Sequence, residues 1–390
     1  MAAVSAGGAG AVFWMWVTAL LGASTAFVES TLAQKYRQPD PLYGGQRGGP
    51  AYYIHMWAER KRKKPLRRSV VAVLFALSGL ICWCGISQVI SNSVSSAFKN
   101  AFHIPPIATT VALVVLAAVI VLRKNATVKS LDVIVPVMAV CYFVMTLYVI
   151  ATNITHLPAV LGSIFSEAFG LRQVAAGGFG AVLMNGIKRG LFSNEAGMGS
   201  VPNAAATASA SHPVKQGLIQ AFGVFVDTLL VCSASAFIVL LSDGYTEGKL
   251  TGIELVQQSL SQHLGPWAPS FLAGMICLFA FSSIVGNYYY GEINIGFISK
   301  NYMTLMLFRV FVVGMVLFGS VAKVALVWDL ADLFMALMAI TNLVAIAILG
   351  KYAYIALQDY MDQKRAGIVE PEFDPAILPS QRGIEVWQKE

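Results

Sequence analysis

Apolar residues form nine long stretches along this chain, and short polar segments separate them. Each stretch is long enough to cross the hydrocarbon core of a bilayer as a helix, a form that satisfies its own backbone hydrogen bonds there. The pattern therefore predicts an all-α polytopic membrane protein with about nine transmembrane helices. The predicted spans are 9–28, 69–95, 106–122, 133–154, 175–208, 217–241, 268–290, 303–320 and 328–350.

The fifth stretch contains a run of residues that oppose a continuous helix. From Lys188 to Ala208 it reads KRGLFSNEAGMGSVPNAAATA. Its glycines and Pro202 penalise a helix, whereas Ser193 and Asn194 are good N-terminal caps for a helix that restarts. The pattern predicts a discontinuous helix made of two half-helices, about 175–189 and 195–208, with an unwound link from Gly190 to Asn194.

The two helix ends at such a break are suited to binding a small zwitterion or a cation. The first half ends in free carbonyls, which carry partial negative charge, and the second begins with free amides, which carry partial positive charge. Irregular backbone is tolerated at membrane depth where it lines a cavity, and discontinuous helices form the binding sites of many secondary transporters. The alternative is a kinked helix or re-entrant loop that serves packing alone.

The predicted spans contain charged residues, among them Lys188, Arg189, Glu195 and Asp227. Charges at membrane depth are costly, which argues against a purely packing role for the interrupted segment. Asp227 must face a cavity or form an ion pair, with Lys188 or Arg189 as partner. This carboxylate could form a structural ion pair or take part in an ion pathway, and the sequence leaves both alternatives open.

Uncharged polar residues add candidates for the same site. Ser282 and Ser283, in FAFSSIVGNYYYGE, offer hard oxygen ligands for Na⁺, although such hydroxyls often bond to their own helix. Asn287 follows on the same helix. Asn92 lies in GISQVISNSVSSA, a small, hydroxylated face that suits close helix packing, with Asn92 as its candidate cavity residue.

Composition supports a membrane protein and gives no sign of an enzyme. Hydrophobic residues make up 57% of the chain and charged residues 12%, about half the charge of a soluble domain. The five cysteines fall in apolar spans without the spacing of a metal site, and the sequence has neither HExxH nor GxSxG. We expect no cofactor and no metal other than Na⁺. A membrane-embedded enzyme that uses Glu195 is the alternative from another class, without an evident nucleophile and base.

The distribution of positive charge predicts the orientation. Of the 27 lysines and arginines, 21 lie in alternate loops and in the C-terminal tail, which places these segments in the cytoplasm. The first residues then lie outside the cell. The basic run ERKRKKPLRR, 59–68, is expected to contact anionic lipid rather than nucleic acid. The predicted organisation is a transmembrane domain, 1–350, followed by a cytoplasmic tail, 351–390.

Several long motifs resemble the alanine/glycine:cation symporter family. They are GAVFWMWVTALLG (10–22), GGPAYYI (48–54), GLFSNEAGMGSVPNAAA (190–206), FAFSSIVGNYYYGE (279–292) and DLADLFMALMAITNL (329–343). The resemblance implies a sodium-coupled importer of alanine or glycine in the bacterial inner membrane. It also implies the five-plus-five inverted repeat of leucine-transporter type, in which two broken helices hold substrate and sodium.

The resemblance assigns roles to residues of this chain. The interrupted segment looks like the second broken helix of that fold, and the family motif of the first is absent. The fold would then lack its first core helix, two spans would precede Met1, and the 390-residue chain alone would not transport. The implied substrate residues are Gly190, Phe192, Ser193, Asn194, Gly197, Asn287 and Asn92, and the implied sodium ligands are Ser282 and Ser283.

This chain departs from the family pattern at four positions. Ala9 replaces a proline, Ile90 replaces a glutamine, and Ser283 and Asn287 stand where many members have threonine and tryptophan. The last two bear on which side chains the pocket accepts. Two alternatives within the transporter reading stay open, a proton-coupled or broader amino-acid symporter and a non-transporting remnant.

Overall fold

A computed structural model shows a chain that is almost entirely helical. It describes residues 2–40, 44–122, 131–169, 178–242, 250–381 and 383–387, apart from the side chains of 120–122 and 131–134. Within these ranges, seven helices are long and apolar enough to cross a membrane. The prediction of an all-α polytopic membrane protein is confirmed.

The helices follow one another with short connections. The N-terminal part contains α1 Ala2–Gly7, α2 Gly10–Lys35, α3 Pro50–Arg62, α4 Val70–Phe102, α5 Pro106–Leu122, α6 Leu131–Thr152 and α7 Leu157–Ala168. The C-terminal part contains α8 Gly178–Asn194, α9 Val201–Ala205, α10 Pro213–Phe225, a π-helical segment Val226–Cys232, α11 Ser233–Leu240, α12 Gly252–Leu264, α13 Ala268–Ile298, α14 Tyr302–Val321 and α15 Val324–Arg365. A short antiparallel hairpin, β1 Gln38–Pro39 and β2 Gln46–Arg47, pairs Gln38 with Arg47.

Each predicted span falls on one helix or on consecutive helical segments. The two that are not among the seven long apolar helices are α5 and the interrupted stretch, of which 175–177 lie outside the described residues. Four helices, α2, α4, α13 and α15, run further along the chain than hydropathy predicted. The first, α2, continues to Lys35, and α15 continues to Arg365, well into the segment expected to be a polar tail.

Local sequence accounts for several helix starts. The Ser69 hydroxyl accepts the Ala72 amide at 3.2 Å and caps α4. The Asn301 side chain accepts the Met303 amide at 3.0 Å and caps α14. Such caps satisfy backbone donors that have no partner within the helix. These helix starts can therefore be predicted from local sequence.

The outer face of the bundle carries large exposed apolar side chains. Val111 on α5, Val140 on α6, Val310 on α14 and Ile340 on α15 are each at least 60% exposed. A soluble monomer rarely exposes apolar surface on this scale. The pattern fits a bundle whose perimeter faces lipid.

The interior is built around two helices. The long helix α4 packs against α13, α14 and α15, and α2 packs against α8 and α10. Phe75 and Trp83 of α4 are almost completely buried. At Gly217 of α10, an added Cβ would lie 2.1 Å from the Thr31 hydroxyl of α2, so this glycine permits the close approach of the two helices.

The segment after α15 folds back onto the ends of earlier helices. The Phe373 amide donates to the Ser211 carbonyl at 3.0 Å, and the Trp387 indole donates to the Gln34 carbonyl at 2.9 Å. His212 caps α10 and lies 3.2 Å from Asp359 of α15. Burial lowers the pKa of His212, and the carboxylate of Asp359 partly offsets this effect. The tail is therefore a packed part of the structure.

Candidate functional site

The interrupted helix breaks later than the sequence predicted. The regular helix α8 continues through Asn194, and the link comprises Glu195 to Ser200. Glu195, Gly197 and Gly199 have φ values of 52°, 80° and 92°, in the left-handed region that ends a helix. The predicted link from Gly190 to Asn194 was wrong, and the second half-helix is limited to the five residues of α9.

Close packing explains why Gly190 does not break the helix. A Cβ at this position would lie 2.5 Å from the Thr18 hydroxyl of α2. Gly186, one turn earlier, would place a Cβ 2.5 Å from the Trp14 side chain. These glycines allow α8 to lie directly against α2. The presence of glycine in the sequence does not by itself show whether it permits close helix packing or breaks the helix.

Ser193 and Asn194 lie in the last turn of α8 and do not cap a restarting helix. The Ser193 hydroxyl donates to Asp227 Oδ2 at 2.7 Å, and the Asn194 side-chain amide donates to the Thr228 hydroxyl at 3.1 Å. The Asn194 side-chain oxygen accepts the Ala196 amide at 3.0 Å, which supports the start of the link. Both side chains therefore join α8 to the π-helical segment.

The partner predicted for Asp227 was wrong. Its carboxylate accepts hydrogen bonds from Ser193 and Thr228, whereas the two basic residues of α8 pair with Asp332 on α15. The Nη2–Oδ2 distance of the Arg189–Asp332 pair is 2.5 Å, and Lys188 Nζ lies 3.7 Å from the same carboxylate oxygen. The Trp328 ring lies 4.2 Å from the Arg189 guanidinium. Because α8 turns its basic residues toward α15, they do not reach Asp227.

The link is held by buried side chains that the sequence analysis did not select. Glu29 of α2 accepts the Gly197 amide at 3.1 Å and the Asn342 side-chain amide at 2.7 Å. Asn342 of α15 also donates to the Gly197 carbonyl at 2.9 Å and accepts the Tyr53 hydroxyl. Glu29 is the first charged residue of the chain and directly follows the predicted span 9–28. This position could have identified it from the sequence as a candidate site residue.

A cavity of about 800 Å³ lies beside the end of α8. It brings together most of the predicted residues, from α4, α8, α13 and the link. Those that line it are Asn92, Arg189, Phe192, Ser193, Asn194, Glu195, Ser282, Ser283 and Asn287. Gly190, Gly197 and Asp227 are not among the lining residues. Trp328 and Cys232, which the sequence analysis did not select, also line the cavity.

The polar groups of the cavity wall differ in the hydrogen bonds that they already make to other parts of the protein. The Ser282 hydroxyl donates to the Phe279 carbonyl of its own helix at 2.8 Å, so its lone pairs can still accept or coordinate. The Asn92 side-chain amide donates to the carbonyls of Gly319 and Ala322, where it caps the end of α14. Asn92 therefore has a structural role in addition to its place in the wall.

The part of the cavity wall formed by the end of α8 is electronegative. The last turn of a helix leaves carbonyls without intrahelical partners and carries partial negative charge. Phe192, Ser193 and Asn194 form that last turn in α8, and the carboxylate-bearing Glu195 follows. This end of the cavity can bind an ammonium group or a small cation. The second half-helix was expected to present free amides with partial positive charge. In the structure it is only the short helix α9.

An apolar helix bundle with a polar cavity at a broken helix defines a membrane transport protein of the secondary type. The sequence comparisons agree with this class. The chain belongs to the Sodium:alanine symporter family, whose sequence model matches residues 1–375. It is thus a multi-pass membrane protein of a sodium/amino-acid symporter family and not an enzyme.

The names of similar proteins refer to several substrates. The chain is 50% identical to a probable sodium/glutamine symporter of Bacillus subtilis, over 99% of this chain and 79% of the relative. It is 45% identical to an amino-acid carrier protein of the same organism, over 100% and 81% of the two chains. It is 35% identical to a sodium/alanine symporter of Methanococcus maripaludis, over 88% and 76%.

Proposed function

We propose that this protein carries a neutral amino acid into the cell together with Na⁺, with alanine and glycine as the first candidates. The observation that carries the proposal is the cavity of about 800 Å³ at the carbonyl end of α8, which is lined by Glu195 and by Ser282 and Ser283 of α13. A polar cavity beside irregular backbone is the arrangement that secondary transporters use for substrate and ion.

In this proposal, sodium binds between α8 and α13. Na⁺ is a hard cation and prefers oxygen ligands. The carbonyls of the last turn of α8 and the hydroxyls of Ser282 and Ser283, all in the cavity wall, supply them. The names of relatives support Na⁺ as the coupling ion, although one relative at 32% identity is named a sodium/proton-dependent alanine carrier protein, and one at 39% is named a putative protein of the same kind.

The substrate ammonium group is assigned to the wall formed by Asn194 and Glu195, where the helix end and the carboxylate both favour a cation. Phe192, which lies 4.7 Å from the Trp328 ring, supplies an apolar surface for a small side chain. Asn287, buried in the wall, faces the same space. This assignment fits alanine and glycine.

Glutamine is the second candidate substrate. The side-chain amide of Asn287 can donate to and accept from another amide, whereas the tryptophan of many family members leaves less room and has no acceptor. A cavity of about 800 Å³ has space for a longer side chain. The relative at 50% identity is named a probable sodium/glutamine symporter.

The proposed location is the cell inner membrane, with the C-terminal tail in the cytoplasm. The asymmetry of lysines and arginines supports this orientation. The five-plus-five inverted repeat implied by the family resemblance, the transmembrane domain 1–350 and the tail 351–390 stay predictions.

Uptake by proteoliposomes tests the proposal. We expect labelled alanine or glycine to accumulate under an inward sodium gradient, and to stop accumulating when potassium replaces sodium. A proton gradient without sodium distinguishes proton coupling, and competition by glutamine, serine and leucine ranks the substrates. The 390-residue chain and a version extended by in-frame upstream codons are compared, with empty liposomes as control. Absence of sodium-dependent uptake of any of these amino acids by both versions contradicts the proposed function.

A further inference from the structure

Glycine 197, in the middle of the link, is bound on both sides of its backbone by side chains from two other helices. Its amide donates to Glu29 of α2, and its carbonyl accepts from Asn342 of α15. We propose that Glu29 and Asn342 are positioning residues, which fix the end of α8 in the shape that binds the transported solutes without touching them.

The backbone at this position depends on outside support. Gly197 has a φ of 80°, and a Cβ there would lie 2.9 Å from Leu343 and 3.2 Å from the Thr25 hydroxyl. Its peptide groups lie outside any regular helix, so they need partners from elsewhere in the chain. Glu29 and Asn342 are both completely buried, and no solvent replaces them as partners. Loss of either side chain therefore leaves a buried backbone group unsatisfied.

The supported backbone leads directly to the cavity wall. Glu195, two residues before Gly197, lines the cavity in a left-handed conformation that a non-glycine residue rarely adopts. Such a conformation persists when its surroundings enforce it. The Asn194 side-chain oxygen accepts the amide of Ala196, directly after Glu195, and the network at Gly197 holds the residue that follows.

The same network connects the cavity to helices that pack elsewhere in the bundle. Asn342 shares α15 with Asp332, which pairs with Arg189 before the break. Helix α15 therefore contacts the broken helix both before its link, at Arg189, and within the link, at Gly197. Tyr53 of α3 donates to Asn342 and adds a third helix to the network. A displacement of α15 relative to α2 must change the support of the link.

The labelling of Cys232 reports on the link without any transported substrate. This cysteine lines the cavity, and its sulfur lies 2.9 Å from the Ser193 hydroxyl at the end of α8. In a background with alanine at the other four cysteines, we compare Asn342→Ala and Glu29→Gln with two controls. The controls are Ser30→Ala, a buried neighbour of Glu29 whose hydroxyl makes no hydrogen bond within the described part of the chain, and Thr341→Val, whose hydroxyl donates to the Leu337 carbonyl of its own helix.

We expect Asn342→Ala or Glu29→Gln to raise the rate of Cys232 labelling by a soluble maleimide about tenfold, and the controls to change it less than twofold. Rates within twofold of the unmutated background in both variants overturn the inference. If both variants fail to fold, Tyr53→Phe, which removes one hydroxyl and keeps the ring, decides by the same criterion. The labelling result is independent of the proposed function.

The second measurement is uptake of sodium and amino acid by the same variants. This measurement rests on the proposed function. We expect the same variants to raise the half-saturating concentrations of both sodium and amino acid about tenfold at normal expression, while the maximal rate changes less. If the variants show altered labelling but keep the half-saturating concentrations of the unmutated protein, the positioning role is contradicted. Absence of uptake by the unmutated protein bears on the proposed function and leaves the labelling comparison intact.

Discussion

Arg189 of α8, which lines the cavity, forms an ion pair with Asp332 of α15, with 2.5 Å between Nη2 and Oδ2. Lys188 shares the same carboxylate, and the Trp328 ring covers the guanidinium. Both side chains of the pair are mostly buried. The pair therefore fixes the first half of the broken helix to α15 before the link begins.

Removing Asp332 should impair transport strongly. Asp332→Ala leaves Arg189 and Lys188 without their shared partner, and the unpaired cations are costly at this depth. We expect uptake to fall about tenfold at equal membrane expression. Asp329→Ala, an exposed acidic residue one turn earlier on α15, is the matched control and should transport normally. Equal uptake by both variants would show that the ion pair is not needed.

Ser283 should matter more than Ser282 for sodium affinity. The Ser282 hydroxyl already donates to the Phe279 carbonyl of its own helix, so its orientation is fixed by that bond. We expect Ser283→Ala to raise the sodium concentration for half-maximal uptake about fivefold, or about 1 kcal/mol, and Ser282→Ala to raise it less. The double variant should exceed either single change. An unchanged sodium dependence of the double variant counts against both residues as ligands.

Asn287 should set which side chains enter the cavity. It is 6% exposed and lies in the wall on α13. Replacing it with tryptophan, the residue of many family members, adds bulk and removes an amide. We expect Asn287→Trp to reduce competition by glutamine more than competition by alanine or glycine. An identical ranking of competitors before and after the change would place Asn287 outside the substrate pocket.

Gly217 should be required for the packing of α10 on α2. A Cβ there would lie 2.1 Å from the Thr31 hydroxyl and 2.9 Å from the Phe27 carbonyl, so one of the helices must move. Overpacking of this kind costs about 1–3 kcal/mol. We expect Gly217→Ala to lower the melting temperature in detergent. Gly223→Ala, on the same helix with nothing within 4 Å, should leave it unchanged or raise it.

The sequence by itself determined the class of the protein and the approximate places of its helices. Transfer of apolar side chains into lipid and satisfaction of backbone hydrogen bonds act on each span separately, so hydropathy and length were sufficient. Glycine and proline content likewise indicated that one helix is discontinuous. The structure shows that the starts of α4 and α14 are capped by Ser69 and Asn301, residues local to each start.

Only the tertiary structure decided where the discontinuous helix breaks and which polar groups meet. Gly190 is helical because α2 packs against it, and the break falls at Glu195 to Ser200. Glu29 and Asn342 meet across 313 residues of chain. Such pairings depend on the rotation of each helix about its own axis, which packing against neighbouring helices sets. Hydropathy averages over a span and carries no information about that rotation.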